Sequence, residues 1–282
     1  DRKPYHSINF VTCHDGFTMY DLFSFDEKQN NCGLLNPTCC TDPYSVWCDT
    51  DSGDDNNRSR DWGEDSEPFK RQLMRNLYVA MVISHGTPML YGGDEWLRTQ
   101  YGNNNAYSNG ADNEWNWFRW GEWQSLYAYP RHRMHDFVRD LLTLRRDHAY
   151  ALAPSEWGEG MDFAWKNSSN EDMGDEDWQG RTLMIHYYDD GTDPGPELAI
   201  LINMSREDVS FSLPGERNWG RLIDTQSWFD TPGYTDEESG WFDENPEADP
   251  YESANTWLEV PAPLTEDTYT VVGSSIVILA EQ

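Results

Sequence analysis

The chain has 282 residues, of which 51 are Asp or Glu and 20 are Lys or Arg, so its formal net charge is −31. This balance excludes nucleic acid and anionic membrane surfaces as partners, because no basic surface is available to neutralise phosphates. Aromatic residues make up 14% of the chain, a fraction that disordered acidic chains lack, so we expect a folded protein with an acidic surface.

The first half of the chain alternates between strand and helix patterns. The β-branched run from Ile8 to Cys13 predicts a buried strand, and apolar residues at three- and four-residue spacing predict a helix from Phe69 to Ser84. A short apolar run, Met89 to Tyr91, predicts a second buried strand, and a second amphipathic helix is expected from Met134 to Arg146. Strand, helix, strand, helix is the order of βα repeats with parallel strands.

The second half is different, because short apolar runs separated by acidic, Gly- and Pro-rich loops replace the helical spacing. We therefore expect residues 151–282 to form an antiparallel β-sandwich domain, after a mixed α/β domain over residues 1–150. The runs that predict strands are Thr182–Tyr188, Leu198–Ile202, Val209–Leu213, Trp257–Val260 and Ser275–Leu279.

The cysteine pattern favours free thiols over a metal site. All five cysteines lie in the first fifth of the chain, no two form a CxxC pair, and no histidine interleaves with them at zinc-finger spacing. We expect reduced thiols in a loop, with one local disulfide as the open alternative, and neither a metal nor a cofactor. The five are Cys13, Cys32, Cys39, Cys40 and Cys48.

Three sequence blocks carry a family resemblance. Residues 10–18 read FVTCHDGFT and resemble the fourth signature region of the alpha-amylase clan of glycoside hydrolases, and residues 86–95, GTPMLYGGDE, are similar to that clan's eighth barrel strand. Residues 102–107 read GNNNAY and, with DNE at 112–114 and WFRW at 117–120, resemble the isoamylase and glycogen-debranching subgroup.

This resemblance implies a fold and a reaction. It places residues 1–150 in the last βα units of a TIM (β/α)8 barrel, from strand seven onward, with the β-sandwich domain after it. The implied activity is retaining hydrolysis of α-1,6 branch linkages in glycogen or a related branched α-glucan, in the cytoplasm. In the family the nucleophile and the acid/base carboxylate lie on barrel strands four and five, so we expect both upstream of this chain and the chain alone to be inactive.

The resemblance also implies residue roles. Asp15 corresponds to the family's third carboxylate, which stabilises the oxocarbenium-like transition state, and His14 binds the same sugar. Asn103, Asn104 and Asn105 are candidates for binding sugar hydroxyls, although Asn triplets also favour turns.

Tryptophan indoles stack on sugar rings but pack equally well in cores, so Trp115 is a candidate substrate contact from the cluster that also holds Trp117, Trp120 and Trp123. Asp94 and Glu95 form a tempting catalytic pair, yet the resemblance predicts that they organise loop hydrogen bonds.

Other functions remain open at this point. An α-1,4-acting amylase or a pullulanase of the same clan would keep the same carboxylate, and a non-catalytic α-glucan-binding module would keep the subsite without the chemistry. The Asn triplet favours the debranching subgroup. Sequence upstream of Asp1 would decide, because an enzyme needs one strand ending in Asp and a later one ending in Glu.

The charge generates a prediction about salt. A net charge of −31 produces self-repulsion at low ionic strength, and salt at physiological levels screens it beyond about 8 Å. We expect a source organism that lives in salt and a melting temperature of the full-length protein that rises from low to molar sodium chloride. A flat or falling melting temperature would contradict adaptation to salt.

Overall fold

The structure consists of two compact units. A computed structural model describes residues 2–30, 52–63, 66–106, 117–118, 120, 129–189, 191, 195–215, 217–226 and 261–282. One unit consists of residues 1–8, 75–87 and 136–282, and the other consists of residues 9–74 and 88–135. Because the chain passes between the units several times, these units are not sequence domains, and the boundary predicted at residue 150 stays a prediction.

Three α-helices are present in the described residues, and the two long ones match the sequence. Helix α1 spans Glu67–Ile83, α2 spans Tyr129–Asp147, and the short α3 spans Ala149–Leu152. The predicted helices at 69–84 and 134–146 are therefore confirmed, with α2 starting earlier than its apolar spacing indicated. No helix in the described parts of the chain is both long and apolar enough to cross a membrane.

An arginine from α2 caps the C-terminal end of α1. The Arg145 guanidinium donates to the carbonyl oxygens of Val82, Ser84 and Gly86, with 3.1 Å to Ser84. The last carbonyls of a helix lack internal partners and carry partial negative charge, so a cation in this place satisfies both needs.

The first two strands are a short parallel pair. Strand β1 (Ile8–Asn9) pairs with β2 (Thr87–Pro88). The Thr87 amide donates to the Ser7 carbonyl at 2.7 Å and the Met89 amide to the Asn9 carbonyl at 2.8 Å, so the pairing advances in one direction along both strands. Helix α1 connects them, as a βα repeat requires.

The predicted burial and length of these strands are wrong. Ile8 is 52% exposed and Phe10 is 51% exposed, and the run 89–91 lies beyond the end of β2. The physical reason is that, among the described residues, this sheet has two strands, so neighbouring strands do not extend the ladder or cover both faces.

The remaining strands form antiparallel sheets, as predicted for the second half of the chain. Their bounds are β3 Asp162–Lys166, β4 Thr182–Tyr188, β5 Leu198–Asn203, β6 Val209–Ser212, β7 Trp219–Asp224, β8 Ala262–Pro263, β9 Thr268–Val271 and β10 Ser275–Glu281. A six-stranded sheet has the order β3-β4-β5-β10-β7-β8, and β6 pairs with β9 in a second sheet.

Four of the five predicted strand segments are confirmed, and the fifth, Trp257–Val260, lies outside the described residues. Strands β3, β7, β8 and β9 were not predicted. Phe163 and Trp165 of the edge strand β3 are each about two-fifths exposed, while Gly220 and Arg221 interrupt the apolar run of β7.

Both sheets contribute to one apolar cluster. Leu201 from β5 and Leu279 from β10 lie in it with Phe211 from β6 and Val271 from β9, and all four are fully buried. Strand β10 pairs with β5 and with β7, which explains its unbroken apolar sequence from Ile276 to Ala280.

Buried polar side chains attach α1 to the sheet of the same unit. Asn76 donates to the Ser274 carbonyl at 2.7 Å and accepts a hydrogen bond from the Thr225 hydroxyl at 2.7 Å. Arg75 donates to the Thr225 carbonyl at 2.6 Å. These bonds fix α1 against the end of β7 and the start of β10.

The cluster generates a stability prediction. Leu201→Ala leaves a cavity between the sheets and should reduce the free energy of unfolding of the full-length protein by about 2–5 kcal/mol in urea titrations. Leu142→Ala, at a leucine that is 38% exposed on α2, is the matched control and should cost about 1 kcal/mol or less. Equal losses for the two variants would contradict the assignment of the core.

Candidate active site

The His14–Asp15 pair lies on an open loop just after β1. The side chains are 80% and 75% exposed, and the His14 Nε2 atom lies 3.3 Å from the Asp15 Oδ2 atom. Both groups are therefore accessible from solvent in the described structure, as a substrate-binding pair must be. Among the described residues, no three His, Cys, Asp or Glu side chains are grouped so that they could hold a metal.

The structure brings this pair next to the asparagine triplet. The Gly16 amide donates to the Asn104 carbonyl at 2.9 Å, which joins the loop after β1 to the loop after β2. Within the triplet, the Asn105 amide donates to the Asn103 side-chain oxygen at 2.9 Å, the local bond that makes Asn a turn residue. Two motifs separated by nearly 90 residues of sequence thus meet at one place.

Asn104 is a buried structural hub. Its side-chain nitrogen donates to the Asp54 carbonyl and to the Asn57 side chain, both at 2.8 Å. Its side-chain oxygen accepts from Asn30 at 2.8 Å, and the Asn30 side-chain oxygen accepts the Asn104 amide at 3.0 Å. The side-chain nitrogen and oxygen of Asn104 therefore both form hydrogen bonds within the protein.

Gly53 makes this pairing possible. It has a φ of +83°, and a Cβ placed there would lie 2.2 Å from the Asn104 side-chain oxygen and 2.7 Å from the Asn30 nitrogen. Only glycine fits this position, for both backbone conformation and space. Asn105 adds a further bond to the same segment, donating to the Ser52 hydroxyl at 2.9 Å. Contact of Asn103, Asn104 or Asn105 with substrate stays a prediction.

A buried carboxylate, Asp94, holds the loop that carries His14 and Asp15. It accepts hydrogen bonds from the Thr12 hydroxyl and from the Met19 amide at 3.1 Å, one on each side of the pair. Burial raises the pKa of Asp94 from 3.8 to about 7, against the opposing effect of those hydrogen bonds. These contacts agree with the expectation that this acidic residue organises loop hydrogen bonds.

A second buried carboxylate, Asp21, belongs to the segment after β1 and binds the segment after β2. It follows the His14–Asp15 loop and accepts from the Thr99 hydroxyl, from the Gln100 amide at 2.8 Å and from the Gly102 amide at 3.4 Å. Burial raises its pKa from 3.8 to about 6. Sequence reasoning missed Asp21, whose only signal is an acidic residue among the apolar side chains of residues 17–25.

Asp94 and Asp21 together form a reciprocal brace. Asp94 belongs to the segment after β2 and binds the segment after β1, while Asp21 belongs to the segment after β1 and binds the segment after β2. Since both carboxylates are almost completely buried, neither loop can move away without exposing unpaired backbone amides. The exposed pair therefore stands on a fixed support.

Several residues of the tryptophan cluster and of the cysteine pattern are not among the described ones. Trp115 and Trp123 lie outside the described residues, as do the four cysteines of the Cys-rich stretch, whereas Cys13 has a free thiol. Trp117 and Trp120 are 56% and 75% exposed, so their rings are accessible. Substrate contact by Trp115 stays a prediction.

Sequence comparison finds clear relatives. The chain is 32% identical over 236 residues to a glycogen operon protein GlgX homologue of Haemophilus influenzae, covering 80% of this chain and 32% of that protein. It is 31% identical over 247 residues to an isoamylase of a Flavobacterium species, covering 82% of this chain and 29% of that protein. The chain is homologous to the isoamylases and the GlgX proteins. The resemblance inferred from the three sequence blocks is confirmed, although no family model matches the chain.

Solved structures of the alpha-amylase clan share the fold. A pullulanase from Bacillus acidopullulyticus aligns over 99% of this chain and 24% of its own, with a TM-score of 0.54 and 16% identity. The catalytic module of the glycogen-degrading pneumococcal virulence factor SpuA aligns over 99% of this chain and 36% of its own, with a TM-score of 0.55 and 14% identity. The chain spans about a third of the length of the isoamylase and GlgX relatives it matches, or less.

The pKa of Asp94 generates a prediction about pH. Because the folded-state pKa is raised, the stability contributed by protonated Asp94 is fully present below about pH 4 and is lost as the pH rises through about 7. Asp94→Asn keeps a neutral group of the same shape. The melting temperature of this variant relative to wild type should therefore increase between pH 4 and pH 7.

The control for this measurement is Asp175→Asn. Like Asp94→Asn, it replaces one carboxyl group by an amide, but at an exposed position. Its melting temperature relative to wild type should change little over the same range. A difference for Asp94→Asn that is constant or decreases with pH would contradict a raised pKa of Asp94 in the folded protein.

Proposed function

We propose that this chain is the C-terminal portion of a glycogen-debranching glycoside hydrolase of the isoamylase type. In this proposal residues 1–150 form the last βα units of a (β/α)8 barrel and residues 151–282 form a C-terminal β-sandwich domain. Support comes from the parallel pair β1 and β2 joined by α1, from the two antiparallel sheets around one cluster, and from the homology to isoamylases.

One observation carries the proposal. An exposed His–Asp pair stands at the carboxyl end of β1, where βα-barrel enzymes place their catalytic groups, and it is held by the buried carboxylates Asp94 and Asp21. A rigid support for an exposed carboxylate is what electrostatic stabilisation of a transition state requires, because a group fixed in advance needs no reorganisation during the reaction.

The proposed substrate is a branched α-glucan, such as glycogen, amylopectin or a limit dextrin. In a retaining reaction, one carboxylate attacks the anomeric carbon while a carboxylic acid protonates the leaving oxygen, and the glycosyl-enzyme intermediate is then hydrolysed by water. We assign these two groups to the part of the protein upstream of this chain. Asp15 accepts hydrogen bonds from hydroxyls of the same sugar, and these bonds strengthen as the ring approaches the oxocarbenium-like state. His14 binds the same sugar beside it.

A neutral substrate suits the charge of the chain. With a net charge of −31, the protein repels anionic ligands, whereas a glucan without charged groups is unaffected. The proposal includes neither cofactor nor metal, and it places the enzyme in the cytoplasm. A non-catalytic α-glucan-binding module is the competing function, and the first experiment below separates it from an enzyme.

The experiment is carried out on the full-length protein with glycogen, by counting the reducing ends released. Asp15→Asn should lower turnover at least ~100-fold, on the order of 3 kcal/mol of lost transition-state stabilisation. His14→Ala should lower it less, because it leaves every carboxylate in place.

Asp175→Asn serves as the control for the loss of one negative charge and should keep wild-type turnover. A wild-type rate for Asp15→Asn would refute the assignment of Asp15. No release of reducing ends by the unmodified full-length protein would favour the binding module over the enzyme.

A further inference from the structure

A cavity of about 760 Å³ lies beside the braced loops and is separate from the exposed His14–Asp15 pair. All its lining residues belong to one unit, within segments 20–29, 61–70 and 99–101. Its volume lies within the range of about 300–1,000 Å³ that is usual for sites that bind small molecules. Neither the sequence motifs nor the proposed reaction uses it.

Four of the side chains that line the cavity form a polar network. The Tyr20 hydroxyl donates to Glu67 at 2.9 Å, and the Lys70 ammonium lies 3.0 Å from the same carboxylate oxygen and 3.4 Å from the Ser24 hydroxyl. Burial and the Glu67 carboxylate raise the pKa of Tyr20, so its hydroxyl stays protonated. The Lys70 side chain is only 4% exposed, which fixes the position of the whole network.

Aromatic residues also line the cavity. They are Tyr20, Phe25 and Tyr101, and Gln29 lines it with them. Gly102 allows Phe25 and Gln29 to approach, since a Cβ at this position would lie 2.9 Å from the Phe25 ring and 2.8 Å from the Gln29 chain. Aromatic faces with a planar amide nearby can contact both the apolar faces and the hydroxyl groups of a sugar.

Tyr101 has a strained backbone. Its φ is +55°, a left-handed conformation that costs a bulky residue free energy, and its amide donates to the Thr99 hydroxyl at 2.8 Å. Asn or Gly would adopt this conformation more easily. Tyr101 therefore lines the cavity from a backbone position that costs a tyrosine more free energy than it would cost Asn or Gly.

The charges of the cavity select the ligand. Asp26, Glu27, Asp61 and Glu67 line it together with one cation, Lys70, which is already paired with Glu67. An anionic ligand such as a phosphate ester is repelled, whereas hydroxyl groups find many acceptors. A metal ion does not fit, because no three acidic side chains among the described residues converge on one point.

We propose that this cavity is a second glucan-binding site that holds a linear α-1,4-linked segment of the branched substrate beside the cleavage site. The proposal rests on the proposed function for its ligand. Its walls are built from the braced loops themselves, since Asp21 follows Tyr20 and binds both Thr99 and Gly102. A chain held here is therefore at a fixed position relative to Asp15.

The test measures binding of maltohexaose by calorimetry to the full-length protein carrying Asp15→Asn, which slows turnover. We expect two molecules bound for each protein. On this background, Tyr101→Asn should weaken binding at the second site about tenfold or more and reduce the measured stoichiometry toward one. Since Asn suits the left-handed backbone, this variant should keep the melting temperature.

Gln29→Ala is the second variant and should weaken the same site without changing the backbone. The matched controls are Tyr5→Ala and Gln179→Ala, which remove an exposed tyrosine and an exposed glutamine outside the cavity and should leave both sites unchanged. Unchanged affinity and stoichiometry in both Tyr101→Asn and Gln29→Ala would overturn the proposal.

The two proposals fail in different ways. If the unmodified full-length protein does not cleave glycogen, the proposed reaction is wrong, and a loss of maltohexaose binding in Tyr101→Asn still supports the cavity as a glucan site. If glycogen is cleaved and both Tyr101→Asn and Gln29→Ala bind maltohexaose as the background does, the reaction stands and the second site does not exist.

Discussion

The candidate site depends on two carboxylates that are buried where carboxylates are unfavourable. Asp94 accepts a hydrogen bond from a backbone amide of the loop that contains Asp21, and Asp21 accepts one from the loop that contains Asp94. Burial raises the pKa of both carboxyl groups. Two loops of irregular backbone have few apolar contacts of their own to fix them. Buried acceptors replace those contacts, because a loop that moves loses its hydrogen bonds in a place that water does not reach.

This arrangement separates support from chemistry. The buried acids Asp94 and Asp21 are fixed by hydrogen bonds to the loops, whereas the exposed acid Asp15, to which we assign the contact with substrate, has a side chain that is free to meet a ligand. Asn104 also has a supporting role, since its side chain forms hydrogen bonds with Asn30, with Asn57 and with the Asp54 backbone. The triplet that the sequence marks most visibly thus contributes at least one residue to architecture.

Much of the fold could be predicted because its signals are local. Helix α1 combines apolar spacing with a proline in its first turn, and β10 is an unbroken apolar run because strands flank it on both sides. The edge strand β3 was not predicted, because its aromatic residues stay partly exposed and its pattern resembles a loop. The extent of β1 was wrong, because strand length and burial depend on neighbours that a local pattern does not contain.

Candidate site residues could be predicted only where a motif existed. Asp15 and His14 were assigned through their surroundings in the sequence, residues 10–18, and their contact with substrate stays a prediction. Asp21 has no motif, and its partners Thr99 and Gln100 are almost 80 residues away, so only the folded chain shows that it is buried and bonded. Burial of a polar group is a tertiary property, and a single sequence carries little information about it.

The mutual bond between Asn30 and Asn104 has a consequence for how this protein can change during evolution. Each side chain donates to or accepts from the other residue, and Gly53 leaves just enough room for both. A substitution at any one of the three leaves the other two with a buried donor, a buried acceptor or a steric clash. We therefore expect these three positions to be substituted together among related proteins. A new residue at one of them requires a compensating substitution at another.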